Sequence, residues 1–369
     1  MLKTLAMRGY RGFGSYRLNN LTRVNLVVGK NNSGKTSILE AVELLVSGGN
    51  PTVFHESVQR RGEMSTAYAR RIRGLRTDIS HIFFGHTFDP GANLELSADD
   101  GKLAVSFNVR ALDEVGDEAD AWDRIRKNWL QRGLFDTEEE AEPICGLSID
   151  GGPRGTQVVL PVMEDGTLLL ERHPRSIRNG IARTPVHFLT LEAFDPAAMG
   201  GMWNTVLTEG REAEIVEDMK LLEPDLDSIH YLTGAGFGAG ILMGLIDGGR
   251  RLPIGVYGDG MRRLLALRLS FVGTANGFLL IDEIDTGLHW TIMEEMWQFI
   301  VEVARKSNVQ VFATTHSYDC IRGLGLLLQS QPDLEDQVCI QKVDNSLKEA
   351  VCLKGEQIKI AVEQDLEVR

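Results

Sequence analysis

The residues whose types and spacing speak most directly of chemistry are Gly29-Lys30-Asn31-Asn32-Ser33-Gly34-Lys35-Thr36, with Ser37 directly after them. They match the Walker A pattern at every fixed position. Gly29 and Gly34 let the backbone curl so that successive N–H groups face one phosphate chain. Lys35 is placed to reach the β- and γ-phosphates, and Thr36 to hold a Mg²⁺ ion. A second constellation lies far along the chain, where Phe278-Leu279-Leu280-Ile281 ends in Asp282 and Glu283. Asp282 suits a metal support, and Glu283 suits a base that orients and deprotonates an attacking water. His316, at the end of the apolar run from Val309, can donate a hydrogen bond to a γ-phosphate or to that water. Tyr257-Gly258-Asp259-Gly260 opens an apolar helix running to about Val272, a second helix N-terminus able to receive an anion. If the two anion sites lie far apart in one chain, two chains facing each other could share them. These residues predict binding and hydrolysis of a nucleoside triphosphate.

Elements must position these groups, and their signals are legible. The β-branched, apolar run Val24 to Val28 reads as a buried strand feeding the glycine loop, and Ile38, Leu39, Val42, Leu44 and Leu45 mark the helix that leaves it. Phe278–Ile281 and Val309–Thr315 read as further strands of the same sheet, with their polar groups at the C-terminal ends. The expected fold class is α/β: a P-loop sheet, mixed or parallel, flanked by helices, with a β-rich lobe and a helical insertion. Segment 1–80 holds the first half of the nucleotide head, 81–190 the lobe with an acidic helical insertion at about 110–143, and 191–369 the second half. In the lobe, Leu94–Val109 alternates across Asp99-Asp100-Gly101 as a hairpin, and Gly146–Arg172 returns to strand alternation. Helical patterning recurs from Met199 to Leu222, and Ile229–Leu252 reads as hairpin or loop.

The first 28 residues suggest two short strands, near Leu2–Gly9 and Val24–Val28, joined through Tyr10-Arg11-Gly12-Phe13. Arg11 and Phe13 could stack on a base; equally, Phe13 could be core and Arg11 solvated. Arg60, Arg61, Arg70, Arg71, Arg73 and Arg76 form a basic run, opposed only by Glu63 and Asp78, with part of it helical from about Met64 to Leu75. Such a run is a candidate contact for nucleic-acid phosphates or an acidic partner, or simply a solvated helix face.

Composition sets the frame for these motifs. At 369 residues, 43% hydrophobic and 25% charged, the chain has the make-up of a globular protein. Its net charge of −13 argues against DNA binding over the whole surface, though not against a local basic groove. Cys145, Cys320, Cys339 and Cys352 form no CxxC pair and no metal-ligand spacing, so they read as free thiols. No apolar run of about twenty residues and no signal-peptide core is present, and the expected location is the cytoplasm.

In their order, the Walker A loop, glycine-led helix, carboxylate strand, Asp285 segment and histidine resemble ABC-type ATPases of the RecF/SMC-like branch. Within it, Gly29–Ser37, Gly258–Leu265, Leu279–His289 and Gln310–Cys320 resemble the ATPase half of the overcoming-lysogenization-defect (OLD) family of AAA-type proteins. The resemblance implies a homodimer closed head to tail around two ATP molecules. In it Lys35 and Thr36 hold phosphate and Mg²⁺, Asp282 supports the metal, Glu283 is the base and His316 the switch. Gly258 and Gly260 would act on the partner's nucleotide, and Asp285 would lie at the dimer seam. Two departures stand out. Tyr257-Gly258 replaces the usual Leu-Ser, removing a hydroxyl and implying slow turnover, and no clear Q-loop glutamine is present beyond Gln59. About fifty residues follow Cys320, without a two-metal carboxylate set, so any nuclease would be a separate chain. The role implied is a regulatory ATPase of prokaryotic anti-phage defence working with a separate effector. The alternatives are a RecF-like DNA repair ATPase and a nucleotide-gated assembly protein with little turnover.

Overall fold

A computed structural model describes residues 1–63, 76–111, 145–151, 156–163, 166–169, 184–190, 196–232, 240–246 and 248–368. The expected helix at 64–75 and most of the acidic insertion lie outside these residues. Strands β1 (Leu5–Tyr10), β2 (Phe13–Leu18) and β3 (Val24–Val28) precede helices α1 (Lys35–Val46) and α2 (Pro51–Arg60). There follow β4 (Arg76–Asp78), β5 (Asn93–Ala98), β6 (Leu103–Ala111), β7 (Cys145–Gly151), β8 (Thr156–Val162), β9 (Thr167–Leu169) and β10 (Val186–Leu189). Next come α3 (Pro196–Glu209), α4 (Glu212–Met219), β11 (Leu226–Leu232), β12 (Gly240–Leu245), β13 (Leu252–Pro253), α5 (Asp259–Val272) and β14 (Phe278–Ile281). The chain continues through α6 (Met293–Lys306), β15 (Gln310–Thr314), α7 (Tyr318–Ser330), β16 (Val338–Lys342), β17 (Val351–Lys354) and α8 (Gly355–Glu363).

These elements form an α/β fold of two compact units. The first comprises Met1–Lys3, Leu18–Leu39 and Thr184–Arg369, and the second Thr4–Arg17 and Glu40–Arg183. The chain passes from one unit to the other after Lys3, Arg17, Leu39 and Arg183.

The first unit is built on a six-stranded sheet in the order β10-β14-β15-β3-β16-β17. All neighbours are parallel except the antiparallel edge pair β16–β17. A parallel sheet is covered on both faces, which requires apolar residues on both sides of each strand. Val24–Val28, Phe278–Ile281 and Gln310–Thr314 meet that requirement, being buried at every position. The amphipathic α6 packs Trp297 fully into the core, and its indole N–H donates to Cys320 O at 2.8 Å, so the largest side chain leaves no donor unpaired. Gln310 fixes the start of the chain: its side chain accepts from Leu2 N at 2.7 Å and donates to Leu2 O at 2.9 Å. A three-stranded antiparallel sheet, β11-β12-β13, completes this unit with α3 and α4.

The second unit is built on an eight-stranded sheet in the order β2-β1-β5-β6-β7-β8-β9-β4. Its hairpin β5–β6 turns at Asp99–Gly101, where the alternating pattern placed it, with Leu94 and Leu96 paired against Phe107 and Val105. The first 28 residues hold three strands rather than two. The extra one is β2, which leaves the sharp turn at Arg11 (φ 50°). Phe13 is core, with its ring centroid 4.9 Å from that of Tyr16.

Candidate nucleotide site

Two strand ends of the parallel sheet build the site, each for a local reason. β3 runs into the glycine loop, where Gly29 takes φ 154° and any Cβ would lie 2.7 Å from both Ser33 Oγ and Val343 O. Only glycine lets the loop close over the end of β16. Asn32 (φ 62°) and Gly34 (φ 91°) complete the curl, and α1 starts at Lys35. Lys35 Nζ donates to Gly29 O at 2.8 Å and Lys30 O at 3.0 Å, so the ammonium is folded across its own loop. Burial lowers its pKa, while the carboxylates of Asp282 and Glu283 act to raise it.

The second strand end supplies the acids. Thr36 Oγ1 donates to Asp282 at 3.0 Å, which brings the Walker A hydroxyl onto the predicted metal carboxylate. Asp282 also accepts from Thr314 Oγ1 at 2.5 Å, and that same oxygen accepts from Glu283 N at 2.8 Å. Thr314 thus fixes the Asp282 carboxylate and the Glu283 backbone from the neighbouring strand. Glu283 sits at φ 50°, a left-handed conformation costly for a non-glycine residue and concentrated at functional sites. Its side chain accepts from Thr286 Oγ1 at 3.2 Å and lies 3.9 Å from His316 Nε2. Glu283 and His316 are 48% and 42% exposed, leaving the pair open to water and to a second chain. Asp285 is held by a short hydrogen bond from Thr315, whose hydroxyl also accepts from Ser317 N at 2.9 Å.

The chain therefore brings together Lys35, Thr36, Asp282, Glu283 and His316, with Asp285 tied to the same strand end. Gly258 and Asp259 are exposed at the start of α5, with Gly258 at φ 87° and open space at its Cβ position. Gly260 packs instead on its own chain's Ile292, 3.2 Å from where its Cβ would be. Sequence reasoning missed Thr314 and Thr315, which it took for the polar end of an apolar strand. The available signal was two hydroxyls immediately before a candidate switch histidine.

The donors fit a Mg²⁺–nucleotide pair. A hydroxyl and a carboxylate meet at hydrogen-bond distance beside a lysine bonded only to carbonyls, and the buried Ser33 Oγ has no partner among the described residues. Thr36 and Asp282 would hold the metal.

The arginine readings need correction. Arg11 is buried, 3.0 Å from Glu40 and 2.7 Å from Glu63, so it can stack on no base. Arg61 pairs with Glu40 at 2.7 Å and Arg60 closely with Glu43. Those two arginines therefore answer the acids of α1, which the sequence pattern did not reveal because the partners lie some twenty residues away. Arg70, Arg71 and Arg73 lie outside the described residues, and Arg76 pairs through its backbone with Leu169. Gln59 is exposed on α2 of the second unit.

Comparison with known proteins adds an independent finding. Residues 1–101 match the family model "AAA ATPase domain", and residues 193–319 match the model "AAA domain, putative AbiEii toxin, Type IV TA system". A protein of Helicobacter pylori named "ATP/GTP phosphatase" is 19% identical over 350 residues, covering 90% of this chain and 89% of its own. An uncharacterised protein of Methanocaldococcus jannaschii is 43% identical over 47 residues, 13% of this chain and 22% of its own. An Smc head solved with the C-winged helix domain of ScpA is 17% identical at a TM-score of 0.48, covering 96% of this chain and 99% of its own. An SMC head domain from Thermotoga maritima is 14% identical at 0.45, covering 96% and 98%. Among the described residues no helix is long and apolar enough to cross a membrane. The two family models support an ATPase domain of the AAA type, the chemistry to which the assembled site points.

Proposed function

We propose that this protein is an ATP-driven switch: an ATPase that closes as a homodimer around two ATP molecules and regulates a separate effector in defence against phage. The observation that carries the ATPase reading is the junction of Thr36, Asp282 and Thr314, with Lys35 on one side and the Glu283–His316 pair on the other. Lys35 exchanges its carbonyl partners for phosphate oxygens, and the loop N–H groups take the rest of the charge. Glu283 receives the proton of a water aligned with the γ-phosphorus, and His316 donates to the γ-phosphate. Thr36 and Asp282 would hold a Mg²⁺ ion, which would offset phosphate charge. Catalysis then rests on positioning and charge stabilisation.

Support for the dimer is the exposed α5 start, where Gly258 and Asp259 face solvent, and the half-open catalytic pair. The defence role is supported by resemblance to OLD-family ATPases and by the toxin-system description of the matching AAA model. The pairing of Arg60 and Arg61 with α1 acids removes much of the motive for the DNA-repair reading.

Glu283→Gln is the direct test. It should bind ATP, lose turnover by about 10²–10⁴-fold, and double its light-scattering mass from 40.9 kDa only with ATP and Mg²⁺. Normal turnover would remove Glu283 as the base, and a monomer under all conditions would remove the shared site. For the biological role, cells carrying the protein with its genomic neighbours should resist phage, and Lys35→Ala should abolish that resistance. Equal plaque counts with and without the wild-type protein would sink the defence reading.

A further inference from the structure

A groove of about 620 Å³ opens in the first unit between α3, α4 and β11. That volume suits an inserted side chain with its flanking backbone. Trp203, Val216 and Ile229 give it an apolar floor, and Trp203 stacks on Tyr231 with ring centroids 5.0 Å apart. Leu207 stands at its edge, 48% exposed. Two lining residues hold buried polar atoms, His230 Nε2 and Tyr231 Oη, that find no hydrogen-bond partner among the described residues.

The charge around the groove is predominantly acidic. Between Glu209 and Asp227 the chain carries eight acids against Arg211 and Lys220. Lys220 is taken by Glu217 at 2.9 Å, while Glu212 and Asp227 line the groove without an ion pair among the described residues. Phosphates, and with them nucleic acid and anionic lipid, are repelled; a cation is drawn in.

The wall matters as much as the floor. One face of α4 lines the groove, and its Glu214 and Asp218 grip Arg268 of α5 at 2.6 and 2.5 Å. Arg268 is fully buried, so α4 and α5 cannot shift independently without stranding a charge.

We propose that this groove docks a basic segment of a partner protein, which inserts one apolar side chain over Trp203, and that occupancy is transmitted to α5 through Arg268. The docking stands alone; the transmission rests on α5 acting as the signature helix.

The test uses calorimetry of the full chain with acetyl-Lys-Arg-Phe-Lys-Arg-amide as the probe. The Phe peptide should bind at least tenfold more tightly than its Phe→Ala counterpart, and Glu212→Lys combined with Asp227→Lys should weaken it tenfold or more while leaving ATP affinity and Tm in place. No binding at millimolar peptide, equal binding of both peptides, or full binding by the charge-reversed variant would overturn the docking, since equal binding means only general attraction to an acidic surface and full binding by the variant means a site elsewhere on the chain. A second copy of the chain as occupant would show as a mass that falls in the charge-reversed variant without ATP, and would also overturn it. For the transmission, probe affinity in Glu283→Gln should change with ATP, and ATP affinity should change by the same factor with probe. An unchanged affinity there removes the coupling. Loss of ATP binding by the wild type would instead indict the nucleotide site, and the docking measurement needs no nucleotide.

Discussion

The end of the parallel sheet at the phosphate loop and the cluster around Arg11 in the second unit use the same kinds of side chain in opposite ways. At the sheet end, Lys35, Asp282 and Glu283 are held by hydroxyls and carbonyls, Glu283 and His316 are half-exposed, and Glu283 carries backbone strain. Around Arg11, three arginines meet Glu40, Glu43 and Glu63 in direct ion pairs, with Arg11 and Glu40 almost wholly buried. The first arrangement leaves charge available to a ligand. The second spends charge on charge, which fixes where α1 and α2 meet the β1–β2 turn. Charged residues near a binding motif are thus no guide to binding until their partners are known.

Four substitutions would break or sharpen that contrast. The largest effect is expected from Arg11→Met, which takes the arginine from Glu63 and leaves the buried Glu40 with Arg61 alone; about 3–5 kcal/mol of stability should be lost, read by denaturant unfolding. A loss below about 1 kcal/mol would mean the cluster is not closed as described. Lys35→Ala should leave stability nearly unchanged and weaken ATP binding by about 10²-fold, equivalent to about 2.7 kcal/mol at a charge-assisted contact. Thr314→Val keeps the shape and removes the hydroxyl that holds the Asp282 carboxylate and accepts from Glu283 N. Turnover should fall about tenfold, the effect of one lost hydrogen bond, with ATP affinity retained; unchanged turnover would reduce Thr314 to packing.

The smallest effect concerns Glu43, where burial outweighs the pull of Arg60 and pushes the carboxyl up to about 7. A carboxyl raised on folding binds its proton more tightly in the native state, so its contribution to stability is greatest below the ordinary glutamate range and is lost as pH rises towards 7. Glu43→Gln should flatten that decline by about 1 kcal/mol across the window, measured as Tm against pH. A wild type whose stability rises over the same interval, with the variant following it, would show Glu43 to be charged throughout.

Much of the head was readable because the signals are local. A β-branched run before a glycine loop, a helix beginning at Lys35, and an apolar strand ending in Asp282-Glu283 each follow from neighbours in the chain. The same holds for α5, which starts at Asp259 directly after Gly258. The hairpin at Asp99–Gly101 was legible for the same reason, since alternation and turn residues are short-range facts. The β1–β2 turn was less so, because Arg11 takes a positive φ that a glycine-centred reading assigns elsewhere.

The sequence by itself determined that a phosphate loop, an acidic strand end and a strand-end histidine exist, since those depend on side-chain type and on spacing within a few residues. Only the tertiary structure decided which hydroxyls hold the acids, that Arg11, Arg60 and Arg61 are paired, and that α4 joins a groove to α5. Each of those depends on residues from about twenty to several hundred positions apart meeting at about 3 Å, the reach of a hydrogen bond, and no local pattern records such a meeting. Burial then sets its strength, because a charge excluded from water must find its partner in the fold.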